Sequence, residues 1–206
     1  MHTNDTDPGA DRPDTRERLI RATLEVLYQD GFDQTTTRRI AERAGVNLQL
    51  IQYHFKGKEG LIAAAQEHAR LRFMALLEPA VSAAPDLGGA IRAGITLTWA
   101  QAHSHPAFMQ PDLLLQIRRA AGHAPGLELP ARETQADLCL LLDRVMARTG
   151  ERLSVPIIPF VLLMMSGAAG LLMEYRISGD ESTIGAAFAL LAERLSDLVL
   201  SAPPGS

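Results

Sequence analysis

Apolar residues recur at helical spacing along nearly the whole chain, and no stretch shows the two-residue alternation of a half-buried strand. Leu19, Ala22, Thr23, Val26 and Leu27 stand three and four apart, flanked by Ile20 and Leu24, and predict a first helix over residues 15–30. Gly31 follows it as a stop residue. A short second helix is expected over residues 37–44: Thr36 can cap its free N–H groups, Ile40, Ala41 and Ala44 form its apolar stripe, and Gly45 breaks it. A third helix starts near Asn47 and ends near His54. A fourth runs from Lys58 to about Leu77, where Pro79 limits it. The same spacing predicts further helices over 87–103, 108–121, 130–148, 155–177 and 182–200. Residues 1–13 are polar, with Pro8, Gly9 and Pro13, and predict a disordered tail. Residues 202–206 read as loop, and no internal repeat is visible. The expected fold class is all-α.

Composition narrows the class of protein. The chain has 206 residues, of which 47% are hydrophobic, 21% charged and 5% aromatic, which excludes a mostly disordered or collagen-like chain. The net charge of −4 argues against a wholly basic nucleic-acid coat protein. Charge is unevenly placed, however. Residues 34–58 hold Arg38, Arg39, Arg43, Lys56 and Lys58 against Glu42 alone, a basic island in an acidic chain. Lys56 and Lys58 are also the only lysines. A single cysteine, Cys139, excludes an intrachain disulfide framework and a Cys-based zinc site. The first 18 residues contain no apolar run, so a secretory signal is not expected and a cytoplasmic location is.

The island contains a motif. Residues 36–53 read TTRRIAERAGVNLQLIQY: helix, glycine turn, helix. Two short helices joined this way match a helix-turn-helix, whose second helix enters the major groove of DNA. On a helical wheel Leu48, Ile51 and Phe55 fall together and are expected to face the core. The opposite face then carries Gln49, Leu50, Gln52 and Tyr53. Glutamine can bind adenine through two hydrogen bonds, and an apolar side chain can touch a thymine methyl. Thr36 and Thr37, at the start of the preceding helix, can meet phosphate through hydroxyls and helix-end amides. Lys58 opens the fourth helix, where amides, dipole and ammonium all attract a second phosphate.

These residues resemble the N-terminal domain of the tetracycline-repressor (TetR) family of bacterial transcription regulators. The likeness lies in T-R-E-R-L-I at residues 15–20, D-G-F at 30–32, T-T-T-R-R-I-A-E-R-A-G-V at 35–46 and Y-H-F-K-G-K-E-G-L at 53–61. The resemblance implies a helix-turn-helix DNA-binding domain over residues 14–60, followed by a helical effector-binding and dimerisation domain over 61–202. It makes Arg38 a candidate base reader, and Thr36, Thr37, Tyr53 and Lys58 candidate phosphate anchors. Asn47, Leu48, Gln49, Leu50 and Gln52 fall on the recognition helix, and His54 is either a phosphate contact or a packing residue. Leu48, Leu50 and Gln52 depart from the family's usual residues, which leaves their individual contacts open. The implied partners are a palindromic double-stranded DNA operator, a second copy of the chain and a small-molecule effector.

The remaining three quarters carry less chemistry. Residues 153–173 are free of charge, long enough to span a bilayer. Pro156 and Pro159 and the lack of a basic flank argue against a span, and Gly167, Ala168, Ala169 and Gly170 suit close helix packing. By the resemblance, residues 155–177 and 182–200 form the dimer interface, and no membrane partner is expected. Ile184, Phe188, Leu191, Leu195, Leu198 and Val199 form the stripe expected to meet the partner. Phe73, Trp99, Phe108, Met109, Leu113, Phe160, Met164 and Met165 are candidates to line an effector pocket, although Met and aromatic residues also fill ordinary cores. The low charge of these helices points to an apolar or amphipathic effector. His103 and His105 diverge if helical and lack a nearby carboxylate cluster, so no metal is expected. Cys139 reads as a buried, inert thiol. No cofactor is expected, and with no nucleophile triad, phosphate loop or carboxylate pair an enzyme is not either. Two rival readings are a nucleoid-type DNA binder without an effector, and a small-molecule binder whose headpiece no longer reads DNA.

Overall fold

The structure, a computed structural model, describes residues 15–104 and 131–200. The polar tail 1–13, the predicted helix 108–121 and the closing loop 202–206 lie outside the described residues. Among the described residues the chain forms eight helices and one two-stranded sheet. It divides into two compact units, with the boundary between Ala65 and Gln66.

The first unit is built from α1 (Thr15–Gln34), α2 (Thr37–Ala44), α3 (Gln49–Phe55) and the start of α4 (Lys58–Ser82). The stripe predicted for α1 is buried, with Leu19, Ile20, Ala22, Thr23, Val26 and Leu27 all inside. Gly31 breaks the helical backbone at φ 76°, ψ 174°, but the chain then resumes a short helical turn to Gln34. Ile40, Ala41 and Ala44 of α2 join α1 in one core with Ile51, Phe55, Leu61 and Ala65.

The second unit packs the rest of α4 with α5 (Leu87–Ser104), α6 (Ala131–Thr149), α7 (Ile157–Ser178) and α8 (Glu181–Ser196). Its core is apolar and continuous. Phe73, Leu77 and Val81 of α4 join Leu87, Ile91 and Ile95 of α5, Leu141 and Val145 of α6, Phe160 and Leu172 of α7, and Phe188 and Leu195 of α8.

Three expectations need correction here. Pro79 does not end α4; the helix continues to Ser82 with Pro79 inside its last turn. Buried Leu77 and Val81 hold that turn in the core, and the Ala83 N–H closes it by donating to the Pro79 carbonyl at 3.0 Å. Second, the last helix stops at Ser196. Residues Val199–Leu200 form β2, antiparallel to β1 (Arg152–Leu153), with Arg152 opposite Leu200 and Leu153 opposite Val199. Two-residue strands are too short to leave an alternating pattern. Third, the stripe predicted to meet a partner is internal: Ile184, Phe188 and Leu195 are buried in the chain's own core, and Leu191, Leu198 and Val199 pack against it. One glycine of the small-residue stretch serves the same packing, since a methyl at Gly167 would stand 3.2 Å from the Leu191 side chain, whereas one at Gly170 would meet nothing within 4 Å.

Candidate nucleic-acid interface

Capping by short polar side chains sets the geometry of the helix-turn-helix. Thr36 takes an extended backbone, and its hydroxyl oxygen accepts from the Arg39 N–H at 3.2 Å, which starts α2. Gly45 ends α2 in the left-handed region (φ 63°, ψ 42°), a conformation a side chain there would disfavour. The Asn47 side-chain oxygen then accepts from the Gln49 N–H at 2.9 Å, and the Leu50 N–H donates to the Asn47 carbonyl at 3.0 Å. α3 therefore grows from Asn47, although its regular turns begin at Gln49. Lys56 closes it with φ 64°.

A tether that no sequence pattern announces fixes this turn from outside. Arg18, on α1, donates to the carbonyls of Ala44 at 2.7 Å and Gly45 at 3.1 Å. A second constraint is steric. A methyl at Gly60 would stand 2.0 Å from the Phe55 carbonyl oxygen, so only glycine lets the first turn of α4 pass the end of α3 so closely.

The exposed side of α3 carries Gln49, Gln52 and Tyr53, the last 72% exposed. Leu48 and Leu50 exchange the places expected of them. Leu48 is 47% exposed instead of facing the core with Ile51 and Phe55. Leu50 is half-buried and packs on the core of the first unit. The buried arc of α3 is centred toward the Leu50 and His54 side of Ile51, which leaves Leu48 at its margin in the turn before the helix. His54 is half-buried, its ring edge-on to Tyr53 (4.9 Å between centroids) and tilted to Phe55 (6.1 Å).

The basic island is largely paired within the first unit. Arg38 Nε donates to Glu42 at 2.9 Å, Arg39 lies 2.8 Å from Asp30, and Arg43 reaches Glu25 at 3.2 Å and Gln29 at 2.7 Å. The Arg38 pair is on the surface, with the arginine side chain 83% exposed, and such pairs break readily in favour of a stronger anion. Among the described residues no carboxylate pairs with Lys56 or Lys58. The Lys56 ammonium donates to the Tyr53 carbonyl at 3.3 Å, and that of Lys58 sits over the Phe32 ring, 4.7 Å from its centroid. Thr36, Thr37, Arg38, Asn47, Gln49, Gln52, Tyr53 and Lys58 thus all stand exposed or half-exposed on α2, on α3 or at the start of α4.

Five of the eight residues expected to line an effector site, Phe73, Trp99, Phe160, Met164 and Met165, lie in or against one apolar cluster in the second unit. Phe73 and Phe160 are buried in it, and Met164 and Met165 pack against it. Trp99 stacks on Phe188 (5.0 Å, 26°) and meets Tyr175 edge-on (5.1 Å, 77°). Tyr175 escaped the sequence reading because it sits beyond the uncharged run. Phe108, Met109, Leu113 and His105 lie outside the described residues. Cys139 is half-buried, and burial together with nearby Asp143 pushes its thiol pKa up, against a reactive thiolate. Among the described residues no group of three metal-ligating side chains gathers.

An all-α fold with a capped, tethered helix-turn-helix at its N-terminus defines a helix-turn-helix protein. Residues 19–65 match the family model described as "Bacterial regulatory proteins, tetR family". The HTH-type transcriptional regulator BetI 1 of Chromohalobacter salexigens is 44% identical over 54 residues, which are 26% of this chain and 27% of that protein. The tetracycline repressor protein class C of Escherichia coli is 46% identical over 52 residues, 25% of this chain and 24% of that one. The chain thus spans about a quarter of the length of the curated relatives it matches. A TetR transcription regulator from Haloarcula marismortui shares the fold at a TM-score of 0.72 and 16% identity, over 91% of this chain and 99% of that one. The fatty acid degradation regulator FadR from Bacillus halodurans does so at 0.70 and 14%, over 90% and 96%. The protein carries a TetR-family helix-turn-helix domain within the fold of TetR-family regulators.

Proposed function

We propose that the protein is a dimeric, cytoplasmic, DNA-binding transcriptional regulator, a repressor that a small apolar or amphipathic effector releases from a palindromic operator. The observation that carries this reading is the row of exposed Gln49, Gln52 and Tyr53 on a helix whose start, end and tether are all fixed. Two glutamines on a rigid helix suit direct readout in the major groove, while Thr36, Thr37 and Lys58 suit flanking phosphates and Arg38 a base edge. The matched relatives are named as transcriptional regulators and, in one case, as a repressor.

Dimerisation through 155–177 and 182–200 is supported by the outward face of α7. Ile158, Leu162 and Leu163 are about half exposed there, Leu190 is exposed on α8, and the stretch from Leu153 to Met173 has no charge. α7 is long and apolar enough to cross a membrane, but Phe160, Val161, Ala168 and Leu172 on its other side are buried in the chain's own core. A helix half packed on its own chain and half bare suits a second protein surface. An apolar effector is supported by the Trp99, Tyr175 and Phe188 cluster and by Met164 and Met165, which pack against the same core. Effector binding would then act by shifting the population toward conformers that no longer fit DNA.

The test is selection of duplexes from a random DNA library by the purified protein, without added ligand. Enrichment of a palindrome whose binding weakens with salt and with Arg38→Ala is expected. No enrichment by folded protein, before and after refolding to strip bound ligand, would overturn the reading.

A further inference from the structure

Three of the island's cations sit beside carboxylates, which order them but also cancel part of their charge: Arg38 beside Glu42, Arg39 beside Asp30, Arg43 beside Glu25. Lys58 is held differently. Its ammonium lies 4.7 Å from the centroid of Phe32, within the range of a cation–π contact. An aromatic face attracts the cation through its quadrupole and carries no net charge. It can therefore order the flexible lysine stem while leaving the full positive charge for another anion.

Both partners stand on fixed backbone. The backbone of α1 breaks at Gly31 before its last turn. Thr35, fully buried, clamps that turn: its hydroxyl donates to the Gly31 carbonyl at 2.6 Å and its N–H to the Phe32 carbonyl at 3.1 Å. On the other side, the passage of Gly60 against the Phe55 carbonyl fixes the first turn of α4, where Lys58 begins. The ring and the ammonium meet because two separate turns hold their backbones, twenty-six positions apart in sequence.

We propose that Phe32 is a positioning residue for DNA binding, whose ring holds the uncancelled Lys58 ammonium at the start of α4, ready for a backbone phosphate. This rests on the headpiece being a DNA reader. The gain is in pre-organisation: a lysine already ordered loses less freedom when it meets the phosphate.

The test is a double-mutant cycle on the full chain with Phe32→Leu and Lys58→Gln, measuring Kd for the duplex enriched from the random library. Phe32→Leu should raise Kd about 2- to 5-fold for each headpiece engaged, the worth of an exposed cation–π contact, and so about 5- to 25-fold on a palindrome that two headpieces bind. It should have no effect when Lys58 is already glutamine, and Phe32→Tyr should restore the wild-type value. A ring that merely supports the fold would weaken binding equally in both backgrounds. That result, or an unchanged Kd for Phe32→Leu, overturns the positioning role while DNA binding by the wild type stands. If the wild type itself binds no duplex, the regulator reading fails first and this inference falls with it.

Discussion

At the scale of single residues, Arg70 is a tightly held charge of the second unit, with only 13% of its side chain exposed. It donates to both carboxylate oxygens of Glu67, at 2.7 and 2.6 Å, and pairs with Asp137 on α6. Those bonds hold the Glu67 carboxyl below its ordinary 4.5 and push the Arg70 pKa up. The sign of the pH dependence follows. A carboxyl depressed in the folded state binds fewer protons there than in the unfolded chain. Its contribution to stability is present above the unfolded pKa and is lost as pH falls through the folded one. Urea denaturation at a series of pH values should therefore show Glu67→Gln with a shallower loss of stability below about pH 4.5 than the wild type. Arg70→Met should cost about 1–2 kcal/mol at neutral pH, since it leaves a part-buried carboxylate without its donor. Asp137 lies far from Arg70 in sequence, so no spacing rule announces the pair. Asn47, Thr36 and Gly45, by contrast, act on neighbours within a turn, and their roles were legible.

At the scale of elements, what was legible is what local spacing controls. α2 was predicted residue for residue because its cap, stripe and stop all lie within ten positions. The misplaced features depend on tertiary packing. The face of α3 that is buried is decided by α1 and α4 as well as by its own wheel. The stripe of α8 was visible, but periodicity cannot say whether a stripe meets its own chain or another. Pro79 shows packing overriding local preference, and it yields a prediction. A proline within a helix costs up to ~3 kcal/mol through a lost N–H and a clash with the carbonyl four residues back. Its rigidity in the unfolded chain returns about 0.4–1 kcal/mol. Pro79 is exposed, so its replacement removes little packing. Pro79→Ala should therefore raise stability by about 1–2 kcal/mol, seen as a higher urea midpoint at unchanged slope. The opposite sign is expected for Gly60→Ala. A methyl 2.0 Å from a backbone oxygen cannot be accommodated by rotating a side chain, so α4 must shift away from α3. A loss of roughly 1–3 kcal/mol should appear in thermal unfolding.

At the scale of the whole molecule, the question is what covers the bare face of α7. Around that helix the buried residues Phe160, Val161, Ala168 and Leu172 face inward, and Ile158, Leu162, Leu163 and Ile177 face out. The outward residues contribute little to the single chain's core, so charging them should spare folding and remove only what depends on a partner. Leu162→Glu with Ile158→Glu is the informative variant: two carboxylates would meet their symmetry mates, or stand beside them, across an apolar interface between like faces. The variant should keep the helical circular dichroism and the fluorescence of Trp99, the sole tryptophan, because Trp99 packs on Phe188 and Tyr175 inside the chain. On the proposed reading, the wild type should sediment as a dimer and the variant as a monomer. Operator binding should then weaken by roughly 10²- to 10⁴-fold, because two headpieces no longer engage as one. Binding to a half-site duplex should change far less, since a single headpiece is intact in the monomer. A folded variant that still sediments as a dimer would place the interface elsewhere. A monomeric variant that binds the full palindrome as tightly as before would show that dimerisation is not what gives the operator its affinity.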